Sequence, residues 1–190
     1  MIVITQPIVE LASRQRELAA GREPPPVDKW NPAHCGEIDI RIARDGTWFH
    51  DGGPIARREL VRLLSTILRR EPDGHYYLVT PAEKMRIAVE DAPFLVVLPD
   101  VCGSGRDQQL AFITNVCDET IADSENRIRV NLRADEEPAP YVHVRRGLEA
   151  RISRNVFYQL AQLAVPGEDA SVGGLGVWSS GVFFPLGSVA

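Results

Sequence analysis

The sequence predicts an α+β protein built as a tandem of two similar small β-rich modules, each mixing antiparallel strands with one helix. Three observations predict it. Short runs alternating apolar and polar residues recur between turn-forming residues, the pattern of half-buried strands. One stretch in each half carries apolar residues at helical spacing. Both halves also hold a tyrosine-led strand, a tight turn and a second strand with basic residues: Tyr77 to Val89 with Lys84 and Arg86, and Tyr141 to Ile152 with Arg145 and Arg151.

In chain order, residues 1–23 are expected to form an N-terminal helix and arm. Glu10 to Gly21 is helix-forming, and Pro24-Pro25-Pro26 makes a stiff spacer. The first module is expected at 24–99. It opens with two strands between Ile38 and His50, around Asp45-Gly46, a pair suited to a tight hairpin turn. Asp51-Gly52-Gly53-Pro54 breaks the strand, and a helix of about 15 residues is expected from Pro54 onward. Its apolar face gathers Leu60, Val61, Leu64, Ile67 and Leu68, with Arg58, Arg62 and Arg69 opposite. Strands follow at Tyr76 to Thr80, Lys84 to Val89 and Phe94 to Leu98.

The polar stretch 100–109, with Gly103-Ser104-Gly105, reads as a linker, and the second module as 110–190. Its strands are expected at Leu110 to Asn115, Arg127 to Leu132, Tyr141 to Arg145 and Leu148 to Ile152, with an acidic turn at Asp135 to Pro140. A helix from Arg154 to Val165 is stopped by Pro166-Gly167, and a strand pair closes the chain between Val172 and Leu186. Modules this small are expected to share an interface, where ligands often bind.

Composition narrows the function. A chain of 190 residues with 44% hydrophobic residues can bury its own core without a structural metal or disulfide. The net charge of -5 argues against a general nucleic-acid binder, which needs surplus cations for phosphates. Three widely spaced cysteines suit a reducing compartment. Met1 to Val9 is too short to span a membrane and lacks a basic leader, so a cytoplasmic, non-membrane protein is expected.

The ordered run Trp30-Asn31-Pro32, Cys35-Gly36, Ile38-Asp39, Arg41 to Trp48 and Pro54 to Arg57, with Tyr77 to Pro81 and Glu90 to Phe94, resembles the bacterial domain of unknown function family 1285. The resemblance covers nearly everything from Pro25 onward. It implies a duplicated α+β core, a second half superficially like a pleckstrin-homology domain, a nucleotide-like ligand between the halves and a role in signal transduction. It implies no catalytic residues, and the sequence has no phosphate-loop or dinucleotide glycine motif to support the nucleotide.

Arg57 is the most informative side chain, because the helical wheel places it on the apolar face, in the first turn, where free amides and the helix dipole favour an anion. Pairing with Asp39 or Glu90 is the structural alternative. Lys84, Arg86, Arg151 and Arg154 occupy corresponding places in the two modules and are expected to converge on one anion, or else to be surface charges. Trp48 offers a stacking face or core packing. No metal site is expected, since His34 and Cys35 are adjacent and His50, His75 and His143 form no ligand pattern. No nucleophile is framed for catalysis, Ser104 lacking its outer glycines. The expectation is a ligand-binding protein with a signalling role, without a cofactor and with no catalytic residue assigned, holding an anionic, nucleotide-like molecule between its modules. A protein-protein interaction module without a small ligand, or a phosphometabolite hydrolase, are its rivals.

Overall fold

The computed structural model describes residues 25–131, 138–167 and 174–187. The expected N-terminal helix and residues 135–137 of the acidic turn lie outside them. A short 3-10 turn at Val27–Lys29 leads into β1 (His34–Ile42), β2 (Trp48–His50) and β3 (Gly53–Pro54). Helix α1 (Arg58–Thr66), β4 (Leu68–Arg70), β5 (Tyr76–Val79) and β6 (Glu83–Val89) complete the first half. The second half holds β7 (Phe94–Cys102), β8 (Gln109–Thr114), β9 (Glu119–Ile121), β10 (Ile128–Asn131), β11 (Ala139–Arg145) and β12 (Leu148–Ile152). It ends in α2 (Arg154–Gln162), β13 (Val165–Pro166), β14 (Leu175–Ser179) and β15 (Val182–Gly187).

The two six-stranded sheets share one wiring. The first runs β3-β2-β1-β6-β5-β4 and the second, read from its other edge, β9-β8-β7-β12-β11-β10. In each, two three-stranded antiparallel meanders meet where the first strand lies parallel to the last, β1 beside β6 and β7 beside β12. The duplication is therefore one of topology, while the helices differ in place: α1 sits inside the first half and α2 follows the last strand of the second. The second sheet curls until β9 reaches β11, where the Thr120 hydroxyl donates to the His143 carbonyl at 3.2 Å. A third sheet, β13-β14-β15, lies beyond α2.

One apolar core joins the halves. Ile40, Ile42, Trp48 and Leu68 of the first belong to the same buried cluster as Phe94, Val96, Phe112, Leu148 and Ile152 of the second. Helix α2 adds Val156 and Leu160, and the third sheet adds Val177 and Phe184. Two glycines allow close approaches. Gly46, at φ +81° in the β1–β2 turn, would place a Cβ 2.6 Å from Asn115 Nδ2 of the second half. Gly176, at a register shift of β14, would place one 2.4 Å from the Phe183 ring.

Three expectations need correction. Pro54 does not begin a helix: Gly53 and Pro54 pair back onto His50 and Phe49 as β3, and α1 begins only at Arg58. The helix is nine residues long, not about 15. Its expected last turn becomes β4, because Leu68 buries fully in the core while Arg69 turns to the opposite face. The stretch 100–109 is no linker: it completes β7, makes a short 3-10 turn at Gly105–Asp107 and starts β8. The sheet changes between Val89 and Phe94, since β7 pairs with β8 and β12 and so belongs wholly to the second half.

Candidate functional site

Strand register sets an arginine, a tyrosine and an arginine side by side in each half. In the first, Arg69 of β4 lies opposite Tyr77 of β5, and Tyr77 opposite Arg86 of β6. In the second, Arg129 of β10 lies opposite Tyr141 of β11, and Tyr141 opposite Arg151 of β12. Because strand side chains alternate between faces, both rows lie on the face away from the buried apolar residues, Leu68, Leu78 and Ile87 in one sheet and Ile128, Val142 and Ala150 in the other.

The first row is satisfied from within its own half. Arg69 Nη1 donates to the carbonyls of Val27 at 2.7 Å and Trp30 at 2.8 Å, and its Nε to Glu71 at 2.9 Å. Val27 is thereby fully buried. The Tyr77 hydroxyl donates to Asp73 at 2.7 Å, a bond that holds the Asp73 carboxyl below and the Tyr77 phenol above their ordinary ranges. Lys84 lies 4.7 Å above the Tyr77 ring and 3.5 Å from Glu71, and Arg86 meets Glu37 and His75.

The second row takes its acceptor from the segment that joins the halves. Asp91 accepts the Tyr141 hydroxyl at 2.6 Å and Arg151 Nη1 at 2.8 Å, with Arg44 Nε of the first half 3.8 Å away. Its neighbour Glu90 accepts the Arg44 backbone amide at 3.0 Å and pairs with Arg41. Arg129 forks onto both oxygens of Glu149 at 2.7 and 2.6 Å and lies 4.2 Å above the Tyr141 ring. The Glu149 bonds raise the Arg129 pKa above its usual value. Burial, then the Asp91 bond, pushes up the Tyr141 phenol. Tyr76 is raised by burial too, and the charges of Arg70, Glu149, Asp91 and Arg129 all act on it, which puts both halves within electrostatic reach of one hydroxyl. Around this junction the guanidinium groups of Arg41, Arg44, Arg129 and Arg151 face the carboxylates of Glu90, Asp91 and Glu149, and Arg70 lies 5.7 Å from the Tyr76 ring.

The turn between β11 and β12 grips the first half at two further points. Arg145 binds Asp118 at 2.8 Å and the Ser65 carbonyl at the end of α1 at 3.0 Å, its guanidinium 5.0 Å from the Phe94 ring. Arg146 reaches Asp28 at 3.1 Å and the Pro25 carbonyl at 3.3 Å.

Of the side chains expected to line a site, Arg151 alone is placed at this junction. Arg57 is the residue before α1, in extended conformation (φ −82°, ψ 101°), and is exposed, so it neither occupies the apolar face nor lies in the first turn. The wheel that placed it there assumed a helix already running from Pro54. Lys84 and Arg86 point away from the shared core and are paired with acids of the first half. Arg154 is exposed at the start of α2. Trp48 is 1% exposed and packs in the core, so it offers no open stacking face. The sequence reading passed over Asp91, Tyr141, Arg129, Arg44, Arg70 and Tyr76. The signal for the second row was the repeated tyrosine-and-arginine pattern, but no spacing showed that Asp91 reaches it. Among the described residues no cluster of three or more His, Cys, Asp and Glu is placed to hold a metal, and no helix is long and apolar enough to cross a membrane.

The fold and this junction define a duplicated, two-domain α+β protein with an arginine-rich seam. Residues 25–92 match the model of the N-terminal domain of a domain of unknown function, DUF1285, and residues 93–186 that of the C-terminal domain of the same family. The chain belongs to the DUF1285 family. A crystal structure of a DUF1285 family protein from Silicibacter pomeroyi DSS-3 is 50% identical, covers 92% of this chain and 95% of that one, and superposes with a TM-score of 0.81. One from Shewanella baltica OS155 is 27% identical over 65% of this chain and 90% of that one, with a TM-score of 0.50. No curated protein matches.

Proposed function

We propose that this protein is a ligand-binding, signalling-type protein that holds an anionic small molecule, of nucleotide-like chemistry, at the seam between its halves. The observation that carries the reading is the meeting of Arg44 of the first half and Arg151 of the second on the one carboxylate of Asp91, in a chain whose net charge is -5. Guanidinium forks suit phosphate and carboxylate oxygens, and a partly dry seam strengthens them. A ligand spanning Arg44 of the first half and Arg129 or Arg151 of the second would set the relative placement of the halves, which is a signalling output. Thermal-shift measurements with a panel of nucleotides, phosphorylated metabolites and carboxylic acids test this, since a ligand that binds only the native state raises the melting temperature. The expected result is a hit lost in Arg129→Ala and Arg151→Gln. No shift with any member at millimolar concentration would overturn the reading.

A second reading, a protein-interaction module, draws on α1, where Leu60 is 40% and Leu63 59% exposed one turn apart. It is tested by affinity purification with Leu63→Asp, which is expected to release a partner while leaving the melting temperature unchanged.

A further inference from the structure

The Tyr141 hydroxyl, Arg151 Nη1 and Arg44 Nε converge on a single carboxylate, that of Asp91. Donors gathered in this way from two sheets form an anion site, and here the anion is supplied by the chain itself. The first half shows the contrast. There the corresponding hydroxyl, on Tyr77, is met by Asp73 of the adjoining β4–β5 turn, a carboxylate fixed by the His75 backbone amide at 2.8 Å. Asp73 cannot leave its tyrosine without unmaking that turn. Asp91 instead lies between β6 and β7, on the segment where the chain passes from one sheet to the other. Its side chain can leave Tyr141 and Arg151 without breaking any strand pairing.

We infer that Asp91 is a built-in competitor: it occupies an anion site made by Tyr141, Arg151 and Arg44, and an incoming phosphate or carboxylate group must displace it. The inference rests on the ligand-binding reading and specifies how that site is regulated. Displacement exchanges one anion for another on Arg151, so the site stays charge-balanced while Asp91 goes free. With it the polar contact that ties residue 91 to the second half opens, while the buried Ala92 and Phe94 stay in place. The ligand therefore acts on the relative placement of the halves by removing a clasp.

The test is calorimetric titration of the full chain with inorganic phosphate and with ATP, on wild type and on Asp91→Asn. The asparagine keeps the size of the side chain and an acceptor for Tyr141 while removing the competing charge. Tightening of about tenfold or more is expected for the variant, since a competitor worth ~1.4 kcal/mol is a factor of ten in affinity. Binding by both proteins, weaker by that factor in wild type and lost in Arg151→Gln, supports the inference. Equal affinity for the two, with binding still lost in Arg151→Gln, overturns the competitor role and leaves the ligand-binding reading standing. Absence of binding to both proteins overturns the inference together with that reading. A measurement on wild type alone keeps the inference testable if the variant folds poorly: hydrogen exchange of the Asp91 and Ala92 backbone amides is expected to rise on adding ligand. Slower or unchanged exchange there, at a ligand concentration that saturates the protein, rejects the displacement.

Discussion

The two arginine–tyrosine–arginine rows are built on equivalent strands but differ in what crosses them. Over the first row runs the Pro25–Trp30 segment, whose backbone carbonyls satisfy Arg69 and whose Val27 is fully buried. Over the second runs the 90–93 segment, which offers a carboxylate instead. A carbonyl acceptor is neutral and fixed by the backbone, whereas a carboxylate is a charge that another anion can replace. The same strand pattern is thus a permanent closure in one half and an exchangeable contact in the other.

The largest effect tests whether the halves form one folding unit. Trp48→Ala in the first half and Phe94→Ala in the second should each cost about 3–5 kcal/mol, as expected for truncating a large buried ring. Because both rings belong to one cluster, each variant should shift a single calorimetric transition. Two transitions, only one of them shifted, would separate the halves. Next comes Arg145→Met, expected to cost about 2 kcal/mol by leaving Asp118 and the Ser65 carbonyl without their largely buried partner. Chemical denaturation measures it, and a loss confined to a few tenths would mean that this clamp is idle.

The smaller effects separate the rows themselves. Tyr141→Phe should cost about 1.5 kcal/mol, the low end for one hydrogen bond to a charged group. The Tyr141 phenol is raised in the folded protein, so its stabilising share is present below about pH 10 and lost as pH climbs through the raised value. Denaturation midpoints followed above pH 9 should therefore fall less steeply in Tyr141→Phe than in wild type. Asp73 gives the opposite sign at the other end. Its lowered carboxyl stabilises the fold above about pH 4, and that share is lost as acid titrates it. Asp73→Asn should flatten the acid limb slightly and leave ligand affinity untouched. An affinity change there would contradict the division between a permanent row and an exchangeable one.

Much of the fold was legible in the chain. Alternation located β6, β8, β10 and β12 closely, because a strand with one face buried writes its period of two directly into the sequence. Asp45-Gly46 marked a turn that the structure closes with Asp45 accepting the Thr47 amide at 2.9 Å. The edges of α1 were not legible, since Pro54 and Leu68 are compatible with a helix locally and are drawn into strands by pairing with Phe49 and Leu78. The candidate site was legible only in Arg151. The bond from Tyr141 to Asp91 spans fifty positions, a proximity that comes from the duplicated wiring and from no local pattern. Lys84 and Arg86 looked equivalent to Arg151, and in register Arg86 is. What differs is the surrounding chain, which a single-strand comparison does not contain.

The strap over the first row has a practical corollary for where this protein can be cut. The family match and the strap both begin at Pro25, so fragments opening there retain every acceptor of Arg69. A fragment opening at Asn31 would take the Val27 and Trp30 carbonyls from Arg69 and leave Glu71 as its acceptor. Such a fragment would be expected to unfold at lower denaturant than one opening at Pro25, since it also lacks the buried Val27 side chain.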